Sequence, residues 1–128
     1  MSWQAYVDSS LLGTGHLDKA AILAGDGTST WAISAGFQIS PEEGKTIAKA
    51  LGGDRDAVFA DGFHVGGERY VVTRAEDRSL YGRQGKDGVA IVKTNQAIIV
   101  GHYGPQHQAG NAANVVEKLA DYLIGLGY

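Results

Sequence analysis

Four runs set the reading of this chain: Arg69-Tyr70-Val71-Val72-Thr73-Arg74, Ser79-Leu80-Tyr81, Val89-Ala90-Ile91-Val92-Lys93-Thr94 and Ala97-Ile98-Ile99-Val100. Each is rich in β-branched and aromatic residues, which suit a pleated surface. Turn residues at Asp77, Gly82, Gly85, Gly88 and Asn95 punctuate them, and further signals precede them at Gly62 and Gly66-Gly67. Connections of a few residues join neighbours in antiparallel pairs, so the middle of the chain reads as a β-meander.

Upstream of the meander, Ala20–Ala24 and Thr30–Ser34 flank Asp26-Gly27 and read as a hairpin, with glycine supplying the positive φ of the turn. Ser40-Pro41-Glu42-Glu43 combines an N-cap serine, a first-turn proline and a capping-box glutamate ahead of Ile47, Ala48 and Leu51, with Gly52-Gly53 as the stop. This predicts a helix, and Asp54–Ala60 a short helical turn. At the ends, Ser2–Leu12 carries an N-cap serine with Trp3, Val7 and Leu11 at i, i+4, i+8 before Gly13. Asn111–Ile124 reads as a closing helix, whose apolar positions Val115, Val116, Leu119, Tyr122, Leu123 and Leu126 form a stripe too wide for one contact. Together these elements predict an α+β fold. A single antiparallel β-sheet, a meander, has the N- and C-terminal helices on one face and shorter helices on the other.

At 128 residues the chain has room for one domain, residues 1–128, and it can bury enough surface to stand without metals or disulfides. It has no cysteine, which removes disulfide frameworks, thiol nucleophiles and cysteine zinc sites and suits a reducing cytosol. No basic, apolar leader opens the sequence and no run is long enough for a membrane span, so a soluble, cytoplasmic protein with no transmembrane segment is expected. The net charge of −3 conceals an asymmetry: residues 69–93 hold six basic residues against three acids, while the remainder holds five against eleven. Such a chain fits an acidic partner or an anionic lipid surface, and no nucleic-acid partner is expected.

The candidate catalytic motifs fall away on their chemistry. Gly44-Lys45-Thr46 lacks the earlier glycine of a phosphate loop, since Ile39 stands there, and Glu42 and Glu43 would meet the phosphate. Asp54-Arg55-Asp56 does not continue as a calcium loop. His16, His64, His102 and His107 have no metalloprotease spacing, and no nucleophile elbow is present. No catalytic residue, metal site or cofactor is therefore assigned.

The aromatic residues point elsewhere. Trp3 and Tyr6 are adjacent on one face of the first helix, Tyr122 lies near the end of the last, and Tyr128 follows Gly125-Leu126-Gly127. If the terminal helices lie side by side, these rings form one patch, to which Trp31 adds an indole from the sheet. Polyproline II segments present flat rings and free carbonyls, which match aromatic grooves with indole and phenol donors. Ordinary core packing accounts for the same pattern equally well.

The stretches Ser2–Asp8, Trp31–Phe37, Asp77–Arg83 and Val115–Leu123, in this order and length, resemble profilin, in its shorter form as found in single-celled eukaryotes. The resemblance covers nearly the whole chain. It implies a cytoplasmic, cytoskeletal, monomeric adaptor that is not an enzyme and that regulates actin filament assembly and actin nucleotide exchange. It implies a polyproline site at Trp3, Tyr6, Trp31, Tyr122, Leu123 and Tyr128, serving proline-rich proteins such as formins. A monomeric actin site is implied at Phe59, Arg69, Arg74, Arg83, Lys86, Lys93, Asn114, Val115 and Lys118, and a phosphoinositide site at Arg74, Arg83 and Lys86. A small sensory or trafficking scaffold is the alternative that fold alone leaves open.

Overall fold

The computed structural model describes residues 3–76 and 78–128. The expected N-cap at Ser2 and the turn signal at Asp77 lie outside them. Seven strands form one antiparallel sheet: β1 (Lys19–Ala24), β2 (Thr30–Ile33), β3 (Phe63–Val65), β4 (Glu68–Ala75), β5 (Ser79–Gln84), β6 (Asp87–Lys93) and β7 (Ala97–Tyr103). Their spatial order is β2-β1-β7-β6-β5-β4-β3, so the meander β3 to β7 closes against β1. The segment from β2 to β3 crosses to the other edge through α2 (Pro41–Leu51) and α3 (Asp56–Asp61), and α4 (Ala109–Gly125) ends the chain.

The α+β expectation holds, with terminal helices on one face and α2 and α3 on the other. Strand β6 shows how the sheet serves both layers. Ala90 and Val92 pack beneath the terminal helices with Val7, Leu11, Val116 and Leu123. Val89 and Ile91 pack on the other side with Ile47, Leu51 and Val58. A strand buried on both faces reads as a continuous apolar run, as this one does.

Gly82 and Gly88, expected at turns, lie instead within β5 and β6, where a Cβ would overlap the Phe63 and Tyr103 rings. The element boundaries differ in three places. Strand β3 was not expected, because three residues between Gly62 and Gly66-Gly67 carry almost no periodic signal. Both Gly66 (φ 63°) and Gly67 (φ 84°) adopt the positive φ of the two-residue turn that pairs Val65 with Glu68. The β1–β2 connection, residues 25–29, is longer than a two-residue turn, though Gly27 has the expected positive φ. The N-terminal helix, residues 3–14, is α-helical only in α1 (Trp3–Ala5); it continues as a π-helix over Tyr6–Leu11 and a 3₁₀ turn over Leu12–Thr14. Its i, i+4, i+8 apolar spacing is common to both windings.

The capping box of α2 is complete: Glu43 N–H donates to Ser40 Oγ at 3.2 Å and Ser40 N–H to Glu43 Oε1 at 2.9 Å. The second oxygen of Glu43 accepts from Gly67 N–H at 2.8 Å, tying α2 to the β3–β4 turn. Among the described residues, no helix is long and apolar enough to cross a membrane.

Candidate functional site

The terminal helices lie side by side and bring the aromatics together. The Trp3 ring centroid is 4.8 Å from Trp31, 5.0 Å from Tyr128 and 5.7 Å from Tyr6, and Tyr6 is 6.1 Å from Tyr122. These tilted and edge-on pairs are the geometries aromatic rings prefer. The Trp3 and Trp31 rings are half-buried, whereas Tyr122 and Tyr128 are 53% and 40% exposed. The surplus width of the α4 stripe is this exposed flank.

Local bonds hold the Trp3–Trp31 and Tyr128 parts of this cluster. Gln4 Nε2 donates to Ile33 C=O at 3.1 Å, and Ile33 N–H donates to Gln4 Oε1 at 3.4 Å, so α1 is fastened to the strand that carries Trp31. The carbonyl of Tyr128 accepts from Gln96 N–H at 2.5 Å and Thr94 Oγ1 at 2.8 Å, while its N–H donates to Leu123 C=O at 2.9 Å. Burial, with the phenols of Tyr122 and Tyr128 beside it, raises the Tyr6 hydroxyl above its ordinary pKa. It therefore stays a neutral donor at physiological pH. Leu123 is a correction: it is fully buried in the core and supports the patch from below, with no surface for a ligand.

On the other flank of α4, Arg74, Arg78, Arg83 and Tyr81 border a hollow closed by Asn114 and Glu117. Glu117 is its organising group. It accepts from Arg78 Nη2 at 2.7 Å, Ser79 Oγ at 2.7 Å and Tyr81 Oη at 2.5 Å. Burial alone would raise the Glu117 pKa, but these hydrogen bonds outweigh it and hold the carboxyl below its ordinary value. Asp121 also accepts from Arg78, at 2.8 Å, so this arginine is committed to α4. Arg74 pairs with Glu76 at 2.8 Å and lies 5.5 Å from the centre of the Tyr81 ring. Arg83 and Lys86 make no ion pair among the described residues.

Strand parity gives this face an exposed apolar residue, Val71, which is paired with Arg83 and 54% exposed. Phe59, 57% exposed, stands on α3, on the other side of the sheet. Arg69 Nε donates to Asp61 C=O at 2.6 Å, linking β4 to α3. Val71 was not singled out, because a valine within a β-branched run reads as core. Its two-residue spacing from Arg69 was the available signal.

Three residues grouped with this face sit elsewhere. Lys93, two residues beyond Ile91, takes the α2 side of the sheet and lies beside Lys45 and Lys49. Val115 and Lys118 line the groove toward Tyr6, and Asn114 reaches both flanks of α4. The four histidines do not converge, and no group of metal-ligating side chains occurs among the described residues. His102 is buried, with Nδ1 2.5 Å from Asp18 Oδ1 and Nε2 4.0 Å from Asp87 Oδ2.

Comparison with known proteins agrees with this geometry. The Profilin family model matches residues 1–128. Profilin-1B of Acanthamoeba castellanii is 56% identical over the full length of both chains, and the profilin of Schizosaccharomyces pombe is 48% identical over the same span. The solved structure of Acanthamoeba castellanii profilin IB superimposes with a TM-score of 0.95, covering 99% of this chain and 100% of that one at 56% identity. Mouse profilin IIa, solved in complex with a double repeat from the FH1 domain of mDia1, covers both chains fully with a TM-score of 0.83 at 26% identity. With the two-layered sheet, the paired terminal helices and this full-length identity, the chain belongs to the profilin family.

Proposed function

We propose that this protein is an actin-monomer-binding adaptor that holds actin on one flank of α4 and proline-rich segments of actin-polymerisation factors on the other. Profilins are actin-binding regulators rather than enzymes. The observation that carries the proline-rich half is the aromatic cluster in which Trp3, Trp31, Tyr128 and Tyr122 are joined through the largely buried Tyr6. Its rings can stack on prolines while phenol and indole hydrogens bond the unsatisfied carbonyls of a polyproline II helix. The mouse relative holding a formin-type repeat supports the same partner class.

For actin, exposed Val71, with Phe59 on α3 reached around the adjoining sheet edge, would contribute most of the affinity, and Arg69, Arg74 and Arg83 would steer and orient an acidic partner. Binding here would favour an open actin cleft and so promote nucleotide exchange by population shift. Arg83 and Lys86, with Arg74 nearby, could hold a phosphoinositide headgroup through charge-assisted bonds, in competition with actin. The chain is read as one domain over residues 1–128, acting as a cytoplasmic monomer.

The test is tryptophan fluorescence during titration with poly-L-proline, since Trp3 and Trp31 are the only indoles. A saturable change is expected. Trp3→Ala should abolish it and leave binding to monomeric actin intact, while Arg74→Glu should do the reverse. Either substitution abolishing both activities in a folded protein would refute the two-flank arrangement.

A further inference from the structure

We propose that the groove between the terminal helices reads an acidic side chain that flanks the proline run of its ligand, through Lys118. This rests on the proline-rich reading above and extends it beyond the aromatic rings.

The rings occupy only part of the groove. Trp31, Trp3 and Tyr128 cluster at one end, and the Tyr6–Tyr122 pair follows. Past that pair the cleft continues with a different lining: Ser10, Thr14, His16, Asn114 and Lys118, over Leu119. The His16 imidazole is the one flat ring in this part of the lining. The lining offers hydroxyl, amide, imidazole and ammonium groups, and it contains no carboxylate.

The charge on Lys118 is available. Its acidic neighbours on α4, Glu117 and Asp121, are both engaged by Arg78 on the opposite flank. Lys118 makes no ion pair among the described residues. The helix thus sorts its charges, acids toward Arg78 and the ammonium toward the groove. In a chain of net charge −3, general electrostatics would repel an acidic ligand, so attraction here must be local.

Register follows from element geometry. Lys118 lies four residues before Tyr122, about 6 Å along α4. A polyproline II ligand rises about 3.1 Å per residue, so its acidic residue belongs about two positions beyond the proline that meets Tyr122. Either end of the proline run could carry it, depending on the direction in which the ligand lies.

The experiment compares the whole protein's affinity for decaproline, for decaproline extended by Asp-Asp at one end or the other, and for the matching Ser-Ser extensions. At low ionic strength one Asp-Asp peptide should bind about two- to fivefold tighter than its serine counterpart, the scale of one partly exposed ion pair. The advantage should vanish in high salt, when a six-residue Gly-Ser spacer separates the acids from the prolines, and in Lys118→Gln. Plain decaproline should bind Lys118→Gln as it binds the parent. No gain at either end, or a gain that survives Lys118→Gln, overturns this inference while leaving the proline-rich reading intact. If decaproline itself fails to bind the parent protein, both fall together.

Discussion

Gly27 in the β1–β2 loop and Gly44 in α2 meet backbone to backbone, so closely that a methyl group on either would overlap the carbonyl of the other. This explains a glycine within the second turn of a well-capped helix, where it costs helix stability. The Gly44-Lys45-Thr46 run that superficially suggests phosphate binding is a packing device that seats α2 against the hairpin.

Gly44→Ala should therefore destabilise the fold even though alanine is the better helix former. Overpacking against rigid backbone costs about 1–3 kcal/mol and helix propensity returns up to about 1; with the added methyl on top of a backbone carbonyl the upper end applies, leaving a net loss of about 2 kcal/mol. Urea denaturation measures it. An unchanged or raised midpoint would show that the loop yields readily and that the contact is not restrictive.

The Tyr81–Glu117 bond predicts a response at both ends of the pH scale. Burial and then the Glu117 carboxylate push the Tyr81 hydroxyl up from 10.0 to about 12. Its folded pKa is raised, so its stabilising contribution is complete below pH 10 and is lost as pH rises through about 12. Tyr70 is raised to about 12 as well, mainly by burial, so Tyr81→Phe should flatten the alkaline loss of stability without removing it. Glu117 has the opposite sign. Its folded pKa lies below its ordinary value, so its contribution is present above 4.5 and fades as pH falls. Glu117→Gln should cost about 1–3 kcal/mol at neutral pH and much less in acid. Parallel stability curves for Glu117→Gln and the parent across pH 3–7 would sink this account.

Much of this fold was legible because local chemistry and tertiary demand coincide. The Ser40–Glu43 box, the turn glycines Gly62, Gly66, Gly67 and Gly85 and the β-branched runs each specify one conformation, and the structure uses them as written. Where the structure separates residues that the resemblance groups, side-chain direction is the reason. Leu123 follows Tyr122 by one residue, a rotation of about 100° on a helix, which carries it from the groove into the core. Lys93 and Arg83 stand on neighbouring strands, yet strand parity sends them to opposite faces of the sheet. A family resemblance transfers positions more surely than directions.

That difference can be measured. Arg83→Glu should weaken actin binding about tenfold, chiefly through slower association at low salt. Lys93→Glu should stay within about twofold, because the lysine sits beside Lys45 and Lys49 on the far side of the sheet. Equal losses for both charge reversals would mean that the actin surface wraps around to α2.

Gln4 supplies the last prediction. Strand β2 is an edge of the sheet, and an exposed edge leaves backbone groups unpaired. The Gln4 side-chain amide stands in for a missing strand at Ile33, meeting both its C=O and its N–H, and it also donates to Asp8 Oδ1 at 3.1 Å. It thereby acts as a positioning residue for Trp3, its chain neighbour, against Trp31. Gln4→Leu keeps the volume and removes these bonds. It should cost about 1 kcal/mol of stability and loosen the Trp3–Trp31 contact, lowering poly-L-proline affinity several-fold with actin binding unchanged. The near-ultraviolet circular dichroism of the tryptophan pair reports the geometry directly, because a purely global loss of stability would leave the folded-state spectrum as it was. Gln4→Glu should not rescue, since it retains an acceptor for Ile33 N–H but loses the donor and places a second carboxylate beside Asp8. Full rescue by glutamate, or an unaltered spectrum and affinity in Gln4→Leu, would show that packing alone orients Trp3.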